Sequence, residues 1–292
     1  LVGKGKPKPA CPRPAKEILA DIAVCVNEAV KDAGITMDEV SSIGIGTPGS
    51  VNKRLGIIEY ANNLGFDKVP ARDVLSKYFD QPIYLENDAN CAALGEAVAG
   101  AGGNVENFVA ITLGTGVGSG IIVNGKIVNG CNDAAGEMGH SVIVVDGEPC
   151  TCGRRGCWEA YSSATALVRQ TKKAMQENKD SLMWEIVGGD LDNVNGRTAF
   201  DGMRKGDIAA KVVVDKYIKY LAAGITNTIN VFQPDVLCVG GGIGCEGEPL
   251  LAPIRKIVEK ERYSIHCGKQ TQICSAILGN DAGVIGAALL VE

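Results

Sequence analysis

Residues 107–128 read NFVAITLGTGVGSGIIVNGKIV, and the choice between two readings of them decides the fold. The first nineteen, 107–125, carry no charge, which is long enough for a membrane span. Five glycines, with Thr112, Thr115, Ser119 and Asn124 among them, break that reading. What remains is two strands, 108–113 and 120–123, around a glycine turn. Asn124-Gly125 is a hairpin signal and leads into a third strand at 126–128.

Outward from this stretch, strands and helices alternate. On the N-terminal side, Ile18, Leu19, Ile22, Val26 and Val30 recur at helical spacing, so the pattern predicts a helix over 14–34 that Gly34 stops. Short strands are expected at 40–46, 55–59 and 82–86, with helices at 71–79 and 89–100. On the C-terminal side the longest periodic helices are 160–175 and 207–232. After them come a strand at 235–239, a glycine turn at 240–244, a helix at 250–261, a strand at 271–277 and a final helix at 282–291. This alternation argues an α/β fold. The segment GAGGNVEN at 100–107 is the best candidate for a hinge between two domains.

Composition limits the function. A chain of 292 residues that is 46% hydrophobic and 22% charged is a folded protein with room for two modest domains. A net charge of −5 offers no basic footprint for nucleic acid. Glycine stands out: 38 residues are about 13%, against a usual ~7%. Such an excess implies tight turns or close approach of backbone to a ligand. Eleven cysteines, an odd count, and an N-terminus LVGKGKPKP without an apolar core point to reduced thiols in the cytoplasm. The chain starts at Leu1 rather than at methionine, and a missing upstream segment is expected.

Three motifs carry chemistry. In CTCGRRGCWE at 150–159, three thiols fall within eight residues, and one of only two histidines, His140, lies ten residues earlier. Cys150, Cys152, Cys157 and His140 make a tetrahedral set of the closed, structural Zn²⁺ kind. Such a set leaves no open position, so the metal is expected to hold the loop carrying Glu137, His140 and Glu159. The other eight cysteines, Cys25, Cys91 and Cys238 among them, are expected as small core residues, and His266 at the surface. Glu86-Asn87-Asp88-Ala89-Asn90 falls at a strand-to-helix junction. There one polar side chain caps the helix, and a carboxylate facing a cleft could take the proton of a hydroxyl nucleophile.

The glycine turns at 113–120 and 240–247 are the third feature. Backbone N–H groups converging in such turns suit phosphate, although a plain hairpin explains the first equally well. Gly242-Ile243-Gly244-Cys245-Glu246-Gly247 spells GxGxxG, so a dinucleotide site is an alternative. Only 45 residues follow Gly247, too few for the usual six-stranded dinucleotide domain.

The set as a whole resembles the ROK family of repressors, open reading frames and sugar kinases. The resemblance rests on GEMGH at 136–140 with the cysteine motif, and on GTPG at 46–49, NNL at 62–64, ENDAN at 86–90, LGTG at 113–116, GGG at 240–242 and DAGVIGA at 281–287. It implies an actin-like, ribonuclease H-like ATPase fold, two α/β domains around a central cleft. Residues 1–105 with the C-terminal helix 281–292 would form the smaller domain and 106–280 the larger one. It implies ATP-dependent phosphorylation of a hexose at its 6-hydroxyl, glucose first, with N-acetylglucosamine, N-acetylmannosamine, mannose or fructose as alternatives. Asp88 would be the general base, and Asn63, Asn87, Glu137, His140 and Glu159 would hold the sugar. Thr115 and Gly116 would meet the ATP phosphates, and Gly241 and Gly242 the adenosine. Mg²⁺ and a homodimer follow from the same resemblance. A departure is the D-x-G-G-T phosphate loop of family kinases, which has no counterpart before Pro14; residues 1–9 resemble the strand end that follows it. The other reading is therefore a non-catalytic sugar-sensing module related to the family's repressors.

Overall fold

The charge-free stretch forms the centre of the largest of three sheets in the computed structural model, which describes Val2, Gly3, Gly5 and residues 13–290. Among the described residues no helix is long and apolar enough to cross a membrane.

The first part of the chain builds a small lobe. Helix α1 (Ala15–Ala33) ends where Gly34 turns left-handed at φ 70° and its N–H closes on Lys31 O. It is followed by β1 (Ile43–Thr47), β2 (Ser50–Asn52), β3 (Ile57–Ala61), β4 (Phe66–Val69), α2 (Ala71–Leu75) and β5 (Ile83–Asn87). β1 and β5 pair in parallel, while β2, β3 and β4 make an antiparallel layer. Leu19, Ile43, Val51, Ile58, Phe66, Leu75 and Leu85 form its core.

Helix α3 (Asp88–Ala99) leads into the large lobe, with β6 (Phe108–Leu113), β7 (Val117–Val123) and β8 (Lys126–Ile127). Asn124 and Gly125 both take positive φ, 52° and 73°, in the hairpin turn between the last two. Next come α4 (Glu159–Ser162), α5 (Ala164–Glu177), α6 (Met183–Ile186), α7 (Thr198–Arg204) and α8 (Ile208–Phe232). The chain closes with β9 (Val236–Gly240), α9 (Gly241–Gly244), α10 (Glu248–Glu261), β10 (Gln272–Ser275) and α11 (Ala282–Ala288). The sheet order is β10-β9-β6-β7-β8, with β6, β9 and β10 parallel, β7 antiparallel to β6 and β8 antiparallel to β7. Its core is larger and includes Ile111, Ile121, Trp158, Phe200, Tyr217, Leu221 and Ile254. The two cores are separate. A third cluster joins Ala93 and Ala97 of α3 to Phe108 and Val236 of the large sheet.

Several sequence expectations change in detail. The helix expected at 160–175 is two, because Ser163 leaves helical geometry and its hydroxyl caps α5 at Ala166 N. The turn at 240–244 is a helical turn, and the helix at 71–79 stops at Leu75. β2 and β4, at three and four residues, were too short for their alternation to register. The cysteines outside the motif are not all core residues: Cys91 and Cys238 are buried, but Cys131, Cys245 and Cys267 are exposed. Apart from Val2, Gly3 and Gly5, the strand end expected at 1–9 lies outside the described residues; the final helix expected at 282–291 ends at Ala288, and residue 291 also lies outside them.

Candidate active site

The cap expected at the β5–α3 junction is Asn87, while Asp88 is exposed and is not among the residues lining either of the two cavities beside α3. Asn87 is the helix cap: its carboxamide oxygen accepts from Ala89 N at 2.9 Å and Asn90 N at 3.2 Å, and its nitrogen donates to Gly49 O at 3.0 Å. Asp88, the first helical residue, accepts from Ala89 N at 2.9 Å and stays exposed. Its carboxylate is therefore held at a helix start, where the macrodipole favours an anion.

Helix α3 runs between two cavities. Near its N-terminus, Asn87 and Asn90 line a polar cavity of about 260 Å³ together with Ser50, Ser119, Asp133, Glu137 and His140. One turn on, Ala92 and Glu96 face a second cavity of about 520 Å³, floored by Gly240, Gly241 and Gly242. The second lies at the carboxyl ends of β6 and β9, the usual ligand position in open α/β sheets, and its volume is ordinary for a small-molecule site. Loss of hydration pushes the Glu137 carboxyl above its usual range; His140 opposes this, and Glu159 and Asp88 reinforce it.

The four expected metal ligands come together: the donor atoms of His140, Cys150, Cys152 and Cys157 all lie within 4.8 Å of one another. A tetrahedral Zn²⁺ with Zn–S of ~2.3 Å and Zn–N of ~2.05 Å puts two sulfurs ~3.8 Å apart and sulfur and nitrogen ~3.6 Å apart. The Cys152 and Cys157 sulfurs are 3.7 Å apart, and Cys150 Sγ is 3.6 Å from His140 Nδ1. The donor set fits zinc in chemistry and spacing. With Nδ1 turned to the sulfurs, the same imidazole lines the polar cavity.

Glu159 sits elsewhere than the cavity lining. Its carboxylate accepts from Val117 N at 3.1 Å and from Thr151 Oγ1 at 3.0 Å, so it braces the cysteine loop against the β6–β7 glycine turn. Gly116 is a glycine because a Cβ there would lie 2.3 Å from Glu159 Oε2. Thr115 is exposed at the tip of that turn, its carbonyl fixed by Thr165 Oγ1 at 2.8 Å. Gly241, at φ 80°, lies so close to β6 that a Cβ would be 2.5 Å from Leu113 O, whereas Gly242 faces open space. Asn63 is exposed in the short 3₁₀ turn Asn62–Leu64 and is not among the residues lining either cavity.

Sequence reasoning missed several groups here. Ser119 and Asp133 line the polar cavity, and Lys53 reaches the buried Glu86 behind it at 2.6 Å. Glu96, 2% exposed, accepts from Ala101 N, Ile277 N and Leu278 N at 3.0, 3.2 and 2.7 Å, which fixes a wall of the larger cavity. The only sequence signal for Glu96 was a charge inside a helix of otherwise small and apolar residues.

Comparison with known proteins agrees with this geometry. The ROK family model matches residues 4–292. The glucokinase of Halalkalibacterium halodurans is 36% identical over 278 residues, covering 94% of this chain and 83% of that protein. The xylose repressor of Caldicellulosiruptor bescii is 30% identical over 82% of this chain and 59% of its own length. Among solved structures, the ROK family glucokinase from Streptomyces griseus in complex with glucose and AMPPNP superposes with a TM-score of 0.81 at 34% identity, covering 98% of this chain and 91% of that one. On these matches the chain belongs to the ROK family and has its actin-like fold.

Proposed function

We propose that the chain is an ATP-dependent hexose kinase, acting on glucose first, in which Asp88 is the general base. The observation that supports this reading is the position of Asp88 at the start of α3, whose cap Asn87 and first-turn Asn90 line the small polar cavity and whose Ala92 and Glu96 line the larger glycine-floored one. In the reaction Asp88 takes the proton of the sugar 6-hydroxyl as its oxygen bonds to the γ-phosphorus of ATP. The bond to the β–γ bridging oxygen breaks and ADP leaves with that electron pair. Transfer of this kind is largely positioning and charge stabilisation, so a fixed carboxylate and oriented backbone N–H groups suffice on the protein side.

Asn87, Glu137 and His140 hold the sugar hydroxyls. Thr115 and Gly116 meet the phosphates, and Gly241 and Gly242 pack by the adenosine. Glu159 acts on the sugar through the loop it braces, and Asn63 reaches it only if the small lobe moves. Mg²⁺ bound with ATP would neutralise charge on the transferring group. His140, Cys150, Cys152 and Cys157 would hold a structural Zn²⁺, which would tie the imidazole that faces the sugar to the loop that braces the phosphate turn. The small lobe, joined by α11, closes on the large lobe around the cleft, and the active form is a homodimer. The same reading puts its site of action in the cytoplasm.

The test is release of ADP measured over a panel of glucose, mannose, fructose and the two N-acetylated hexosamines. The proposal requires sugar-dependent ADP release, fastest with glucose. Glucose binding without any ADP release would instead favour the sugar-sensing reading, for which the repressor match is the supporting observation.

A further inference from the structure

Behind the polar cavity lies a charge pair that no motif announced. Glu86, the residue before Asn87, is fully buried at 0% exposure. One carboxylate oxygen accepts from Asn87 N at 2.9 Å and from Asn90 Nδ2 at 3.0 Å. The other accepts from Lys53 Nζ at 2.6 Å. The orientation of the Asn129 amide that satisfies both neighbours gives the same oxygen a bond from its nitrogen at 3.2 Å, while its own oxygen takes one from Lys53 Nζ at 2.8 Å.

Lys53 also joins the two lobes. It belongs to the turn between β2 and β3, and its backbone N donates to Asp133 Oδ2 at 3.1 Å. Asn129 and Asp133 both lie on the loop that leads from β8 to Glu137. Arg72 pins the backbone of the β2–β3 turn, donating to Lys53 O at 2.7 Å and Arg54 O at 3.1 Å. The lysine is thus a held group rather than a solvated one, with its side chain 31% exposed.

We infer that Lys53 is a positioning residue of the hexose cavity: through Glu86 it sets the start of α3, and through Asn129 and Asp133 it holds the opposite wall. The inference rests on the kinase reading above. Its physical basis is the cost of an uncompensated buried charge. Removing the cation strands the Glu86 carboxylate, and its bonds to Asn87 and Asn90 must then rearrange beneath Asp88. Removing both charges together is far less damaging, since a buried pair replaced as a unit is often close to neutral. In the double variant a glutamine at 86 keeps an oxygen for Asn87 N and Asn90 Nδ2 and offers its nitrogen to Asn129.

The experiment is steady-state kinetics of wild type, Lys53→Met and Lys53→Met/Glu86→Gln, with glucose and ATP varied separately and glucose affinity measured by calorimetry. Lys53→Met should weaken glucose binding and lower kcat/KM for glucose by roughly ten- to a hundred-fold, the scale of a stranded charge beside a positioned acid. Its KM for ATP should stay at the wild-type value, which a general loss of structure would not allow. The double variant should recover most of the loss. Wild-type glucose kinetics in Lys53→Met, an equal rise in both KM values, or a double variant no better than the single one would each overturn the inference. A wild-type chain without sugar-dependent turnover would overturn the kinase reading and this inference with it. The first three outcomes leave the kinase reading standing.

Discussion

Gly286 offers a way to move Asp88, the proposed base, without touching the site. It lies in α11 against the middle of α3, and a Cβ there would fall 1.7 Å from Cys91 O and 2.9 Å from Gly95 N. Even the tightest tolerable contact, near 3.0 Å, is missed by about 1.3 Å. Helix α11 has little room to retreat, because its Ala287 carbonyl is already seated on Gly44 of β1, where a Cβ would also lie 1.7 Å away. The strain of Gly286→Ala therefore passes to α3, one turn from Asp88. Overpacking of this kind costs about 1–3 kcal/mol of stability, which leaves most chains folded. A misplacement near 1 Å at a reacting group costs on the order of 10² in rate. Coupled ADP-release kinetics should then show kcat reduced about a hundred-fold, with circular dichroism showing a cooperative fold of lower melting temperature. A kcat close to wild type in a folded Gly286→Ala chain would refute the claim that the α3–α11 contact sets the position of the acid.

Other outcomes follow from the same geometry. Metal analysis should find about one zinc per chain, the complement of one Cys₃His set; Cys152→Ser should lose it and weaken glucose binding, and retained wild-type affinity after zinc loss would disprove the coupling through His140. Glu96→Gln exchanges an acceptor for a donor facing backbone N–H groups of Ala101, Ile277 and Leu278, so KM for ATP should rise about ten-fold with KM for glucose unchanged. Asp207 titrates below the usual carboxyl range: burial pushes it up, but bonds from Ala210 N, Ser181 Oγ and Leu182 N prevail. A depressed carboxyl adds stability above its unfolded pKa and loses it as pH falls through the folded value. Urea unfolding of Asp207→Asn should therefore show a flatter decline than wild type below about pH 4, and parallel acid limbs would contradict this.

What could be read from the sequence was local. The 107–114 run ends in Asn and Gly and holds nothing but apolar and small residues between, so β6 was legible residue for residue. The start of β7 was hidden because Val117-Gly118-Ser119-Gly120 looks like turn. Its glycines are there for packing: a Cβ at Gly120 would meet Ala89 O at 2.6 Å, and one at Gly118 would meet Thr112 Oγ1 at 2.5 Å. The metal set was legible because three of its ligands share one short loop and histidine is rare in the chain. The partners of Glu159, Glu96 and Lys53 were not. Each has at least one partner 33 to 182 residues away, and no spacing rule reaches across a fold.

The central claim is that Asp88 is the base of a sugar-dependent phosphoryl transfer. It is tested most directly by comparing wild type and Asp88→Asn for glucose-dependent ADP release and for glucose affinity by calorimetry. The account predicts turnover in wild type, a fall in kcat of about 10²–10⁴ in the variant, the usual worth of a positioned base, and an unchanged glucose affinity. Full turnover in Asp88→Asn, or a wild-type chain that binds glucose yet releases no ADP, would contradict it.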